Sequence, residues 1–132
     1  IEIFDNNNEK ITGHKLDSFS NVGYPNDCIH PSGHSQIKAP DTKDLVIDLL
    51  EEFTIREIRV YLESSEQLFT IMASNDQKTW TTIDSSFVDD FYNPAEGYLI
   101  YANVKARYIR LVPQVYINEV FNLYEIEVLV EK

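Results

Sequence analysis

The chain has 132 residues, of which 43% are hydrophobic, enough for one domain with one core and too many for a disordered segment. Its formal net charge is -11, a balance that repels phosphate backbones and anionic lipid and so argues against nucleic acid and anionic membranes as partners. The acids outnumber the bases only before Tyr98, because Lys105, Arg107, Arg110 and Lys132 match Glu119, Glu125, Glu127 and Glu131 beyond it.

In chain order, "IEIFDNNNEK" has no basic start and no long apolar stretch, so it does not read as a signal peptide. No apolar run reaches the roughly 20 residues of a membrane helix. A chain opening on Ile1 reads as a domain excised from a larger protein, and residues 1–132 read as a single domain without internal boundary. Cys28 is the one cysteine. It forms no intrachain disulfide and is expected to pack as a small hydrophobe. "HPSGH" places His30 and His34 on either side of Pro31 and Gly33. That is loop chemistry, without the helical spacing of a transition-metal pair.

Strand signals then recur. "LVIDLL" puts Leu45, Ile47 and Leu49 on one face, and "EIRVYL" puts Ile58, Val60 and Leu62 on one face with Arg59 and Tyr61 on the other. "LFTIMAS" alternates Phe69, Ile71 and Ala73 against Thr70 and Met72. "SNDQKTW" follows as a hairpin turn, with Asn75 and Asp76 expected in the left-handed region and Trp80 expected to fill one end of the core. "YLIYANV" and "RYIRLV" continue the alternation, the latter with Ile109 and Leu111 inside and Arg110 outside. "LYEIEVLV" sends Tyr124, Ile126, Val128 and Val130 one way, and Glu125 and Glu127 the other. β-Branched and aromatic residues dominate these runs, and "YPND", "APDTKD" and "NPAEG" supply turns between them. The fold class is therefore all-β, an antiparallel sandwich or jelly roll.

Four pieces in a fixed order, "LVIDL", "FTIMASNDQKTW", "ARYIRL" and "NLYEIEVLV", resemble the discoidin, or coagulation factor V/VIII type C, superfamily, to which family 32 carbohydrate-binding modules belong. The resemblance spans Thr12 to Glu131, with Gln77 where glycine is usual. It implies a jelly-roll β-sandwich with ligand loops at one end. It also implies a structural calcium ion, held by Glu125 of the last strand with Asp27 and Ser35 of the loop before the "DL" strand. That loop departs from the family pattern, with His30 where an aspartate is expected and Ile37 near the usual tryptophan. The galactose-binding constellation is missing too: Lys38 stands near its histidine, and Glu63 or Ser64 near its arginine.

Two connections combine aromatics with amides. "SFVDDFYNPAEGY" holds Tyr92 and Asn93, and "PQVYINEVFN" holds Tyr116 and Asn118. A sugar ring needs an aromatic for its apolar face and uncharged groups that both donate and accept for its hydroxyls. Tyr92, Asn93, Tyr116 and Asn118, joined by His30 and His34, are the candidate ligand residues. Catalysis finds no support. Asp89 and Asp90 are adjacent, not the spaced carboxylate pair of a glycosidase, and no phosphate-binding glycine loop occurs. The reading is a non-catalytic, extracellular or cell-surface module, monomeric when isolated, that tethers a larger protein to glycans. Its alternative is a protein-interaction module of the same fold that has lost the sugar site.

Overall fold

A computed structural model describes residues 1–13, 15–18, 35–38, 44–62, 68–87, 96–114 and 120–131. All elements among them are strands: β1 (Glu2–Phe4), β2 (Lys10–Ile11), β3 (Lys15–Ser18), β4 (Ser35–Lys38), β5 (Leu45–Leu62), β6 (Leu68–Ser74), β7 (Thr81–Phe87), β8 (Tyr98–Gln114) and β9 (Val120–Glu131).

β5 and β8 are too long for one layer of a small sandwich, and each serves two. The first half of β5 pairs with β3 and with the second half of β8, from Leu45 opposite Leu111 to Asp48 opposite Tyr108. β6 and β7 extend that layer beyond β8. The register then breaks between Asp48 and Phe53. The second half of β5 pairs with the first half of β8 and with β9, which carries β1, β2 and β4. Every pairing is antiparallel except β1 against β9.

The corner in β5 has a local cause. Leu50 takes a φ of 73°, and its amide donates to the Asp48 carboxylate at 2.8 Å. The left-handed turn lets the chain leave one layer and enter the other. Gln77 does the same for the β6–β7 hairpin with a φ of 60°. This corrects the expectation that Asn75 and Asp76 adopt the left-handed region. Asp76 instead caps the turn: its carboxylate accepts from the amides of Lys78 and Thr79, while the Ser74 hydroxyl accepts from those of Asp76 and Gln77.

The core lies between the layers. Ile47, Ile55, Ile58, Val60, Leu62, Phe69, Ile71, Ala73, Ile109, Leu111, Ile126, Val128 and Val130 are buried in it, as the period-two alternation requires. Each large aliphatic side chain so buried contributes about 1.5–3 kcal/mol. Trp80 is not among them. It is half-buried beneath the Arg110 guanidinium, whose carbon lies 5.3 Å from the ring centroid. The indole packs against the Arg110 cation, which corrects the expectation that it fills one end of the core.

Candidate functional site

The described strand ends define one end of the sandwich. Leu68, where β6 begins, pairs with Phe87, where β7 stops, and with Gln114, where β8 stops. Leu62 at the close of β5 pairs with Leu123, which also pairs with Ser35 at the start of β4; Lys38 at its close pairs with Val120. Tyr98 pairs with Val60. The hairpin of Ser74–Trp80 lies at the opposite end, where the Asn75 amide donates to the Lys105 carbonyl at 3.3 Å.

Among the site residues read from the sequence, His30, His34, Tyr92, Asn93, Tyr116, Asn118 and Asp27 lie outside the described residues. Ser35 is described by its backbone, as the first residue of β4. Glu125 is fully described. It sits on β9 opposite Tyr61 and is 1% exposed. Burial pushes its carboxyl pKa up, and the main-chain nitrogen of Ile1 pulls the other way. That nitrogen lies 2.5 Å from Oε1, which also accepts from the Ile126 amide at 2.9 Å. A buried carboxylate is a chemically suitable donor for a cation, which would have to take the place held by the Ile1 nitrogen. The loop expected to complete a calcium shell enters β4 at Ser35, opposite Leu123 and two residues along β9 from Glu125. Among the described residues, no three His, Cys, Asp or Glu side chains cluster as metal ligands.

A second feature was not foreseen. The outer face of the β9–β5 layer carries a groove of about 220 Å³ lined by Phe4, Asn8, Glu57, Arg59, Glu127 and Leu129. Arg59 is fixed by donating to the Glu96 carbonyl at 2.6 Å. Gly97 makes room for it: a Cβ there would stand 2.9 Å from Arg59 Cγ and 3.0 Å from the Tyr61 ring. Tyr61 donates to the Glu127 carboxylate, and burial together with that bond raises its pKa to about 12. Asn8 comes from a tight turn in which the Asp5 carboxylate accepts from the amides of Asn7 and Glu9, each at 2.9 Å. Sequence alternation placed Arg59 and Tyr61 on the outer face. The parallel pairing that brings Phe4 opposite Leu129 left no local signal, because neither strand records its partner.

Comparison with known proteins settles the class. Residues 8–126 match the family model of the F5/8 type C domain, and the chain belongs to that family. No curated protein sequence matches the chain. Solved structures similar to it include CBM32 of AlyQ in complex with 4,5-unsaturated mannuronic acid (16% identity over 88% of this chain and 92% of that one, TM-score 0.67). CpGH89CBM32-6 of Clostridium perfringens aligns at 18% identity over 88% and 90%, with TM-score 0.64. CBM32-1 from a family 31 glycoside hydrolase of Clostridium perfringens aligns at 22% over 86% and 91%, with TM-score 0.61. These likenesses bear on the fold, the jelly-roll sandwich expected from the strand pattern.

Proposed function

We propose that the chain is a non-catalytic glycan-binding module that holds a larger protein near carbohydrate, outside the cell or at its surface. The observation carrying this is the shared end of the sandwich. Of the described residues that bound segments 88–95 and 115–119, Phe87, Gln114 and Val120 are strand ends paired with Leu68 and Lys38, and Glu96 lies two residues before Tyr98, which pairs with Val60. Those segments contain Tyr92, Asn93, Tyr116 and Asn118. Ser35, next to His34, pairs at the same end. Strands committed to core packing leave specificity to the connections. The 4,5-unsaturated mannuronic acid bound by CBM32 of AlyQ supports carbohydrate as the partner class. A single site of this kind binds at about mM to μM, or roughly 4 to 8 kcal/mol, and relies on tethering for avidity.

The test is a glycan array followed by NMR titration with the sugar it selects. Shifts are expected at the amides of Phe87, Glu96, Gln114 and Val120, and Tyr92→Ala should abolish them while the fold persists. Silence across the array would transfer the module to protein partners of the same loop end, the reading favoured by the missing galactose constellation. Calcium held by Glu125 with Asp27 and Ser35 forms part of the proposal, as a stabiliser of the loop end. A ligand of the folded state raises the melting temperature by mass action. Calcium should therefore raise it in the parent chain and leave Glu125→Gln unchanged; no response in the parent removes the metal.

A further inference from the structure

The geometry points to a second carbohydrate site, separate from the loop end: the groove on the outer face of the β9–β5 layer, continued by Tyr101, takes a neutral oligosaccharide. The groove of about 220 Å³ lies below the roughly 300–1,000 Å³ usual for ligand clefts, a size that suits one sugar ring rather than a larger ligand. Its apolar lining comes from Phe4 and Leu129, which pair across β1 and β9, and from Val128. Its walls offer the mixture that sugar hydroxyls require: the Arg59 guanidinium as donor, the Glu57 and Glu127 carboxylates as acceptors, and the Asn8 amide as both.

Three features make these groups preorganised rather than merely adjacent. Arg59 is tied to the Glu96 carbonyl, Glu127 receives the Tyr61 hydroxyl, and Asn8 stands at a φ of 62° in the turn built by Asp5. Among the described residues, Arg59 makes no ion pair with either carboxylate, so the groove's charges are not spent on each other.

The second observation is independent of the groove. Tyr101 is 75% exposed, whereas the other described large apolar side chains, Leu50 aside, are at least partly covered. It pairs directly with Glu57, a groove residue, which sets their Cα atoms about 4.5–5.5 Å apart. A rigid aromatic beside a polar groove is a stacking platform for the ring next to the one that the groove holds. Two carboxylates to one guanidinium leave the groove negative, which admits neutral sugars and opposes uronates. The same charge separates it from any acidic-sugar preference of the loop end.

The test is NMR titration of the intact domain with lactose, cellobiose and N,N′-diacetylchitobiose, with digalacturonic acid as the charged control. At least one neutral disaccharide should shift the amides of Asn8, Arg59, Leu129 and Tyr101, and digalacturonic acid should not. Tyr101→Ala, at an exposed position, should weaken binding about tenfold or more at unchanged melting temperature, and Arg59→Ala should weaken it as well. Tyr92→Ala should leave these shifts intact, so that failure of the loop-end site and failure of the groove read out separately. Silence of all four amides with every neutral disaccharide, equal shifts with digalacturonic acid, or binding that survives both substitutions would each overturn the proposal.

Discussion

Two clusters, one on each layer of the sandwich, carry the same residue types and wire them differently. On the β5–β8–β6 layer, Arg107 donates to both oxygens of Asp48, at 2.8 and 3.0 Å, and lies 5.0 Å from the Tyr108 ring centroid. Arg110 is held by Asp44 and covers Trp80. Both of these arginines have a carboxylate and an aromatic. On the β9–β5 layer, Arg59 has a single main-chain carbonyl, Glu57 forms no ion pair among the described residues, and Tyr101 stands open to solvent. The lesson is that an arginine, an acid and an aromatic on neighbouring strands do not by themselves mean a site. Saturated with one another they brace the sheet; left unsaturated they can address a ligand.

The largest expected effect separates the faces directly. Asp48→Ala removes a bidentate partner from Arg107 and the acceptor of the Leu50 amide, and should cost about 2 kcal/mol in urea unfolding. Arg107 is 40% exposed, so the loss stays below that of a fully buried pair. Glu57→Ala on the other face should fall within about 0.5 kcal/mol. Equal costs would mean that both faces are structural. Trp80→Ala comes next. A half-buried indole under a cation should cost about 1–2 kcal/mol, against about 3–5 for a core ring such as that of Phe69. A loss in the core range would return Trp80 to the interior.

These contrasts also mark what the sequence could disclose. Alternation identified the inward aliphatic residues of β5, β6, β8 and β9 among the described residues, because one buried face forces period two, but it placed Glu125 on the opposite face, where the carboxylate is 1% exposed. It failed at Trp80, where hydrophobic bulk suggested the core and the partner proved to be Arg110, thirty positions away. It did not mark Val46 and Asp48 as buried, since cover on the outer face comes from other strands, as when Arg107 closes over Asp48. The proposed loop-end residues, Tyr92, Asn93, Tyr116 and Asn118, rest on sequence chemistry alone and lie outside the described residues, while the pairing of the strand ends that flank them is something no local window contains. The groove was illegible for the same reason: Phe4 and Glu127 lie far apart in sequence.

Backbone strain supplies a smaller effect. Leu50 is 41% exposed at a φ of 73°, a region that costs an L-residue roughly 1–2 kcal/mol. Leu50→Gly relieves that strain, gives back part of it as chain entropy, and should stabilise the domain by up to about 1 kcal/mol. A loss on this substitution would show that the Leu50 side chain, close to Gly13, earns its place by packing.

The smallest effect is a pH dependence at the hairpin end. The Asp76 carboxyl pKa lies below its ordinary 3.8, held down first by the Thr79 amide, then by the Lys78 amide and the Ser74 hydroxyl. Those bonds favour the ionised form in the folded chain alone. Their contribution is therefore fully present above the unfolded value of 3.8 and is lost as pH falls through the lower folded value. Asp76→Asn keeps an acceptor of similar shape without the titration. The variant's stability should lie slightly below that of the parent near neutrality, and the gap should close as the pH drops beneath 3.8. Because the group is exposed, the gap is small and shrinks with salt. Urea unfolding of the two proteins in parallel at pH 7 and near pH 3 reads it. A gap that persists unchanged in acid would assign the turn's stability to the Ser74 hydroxyl and the left-handed Gln77 rather than to the charge on Asp76.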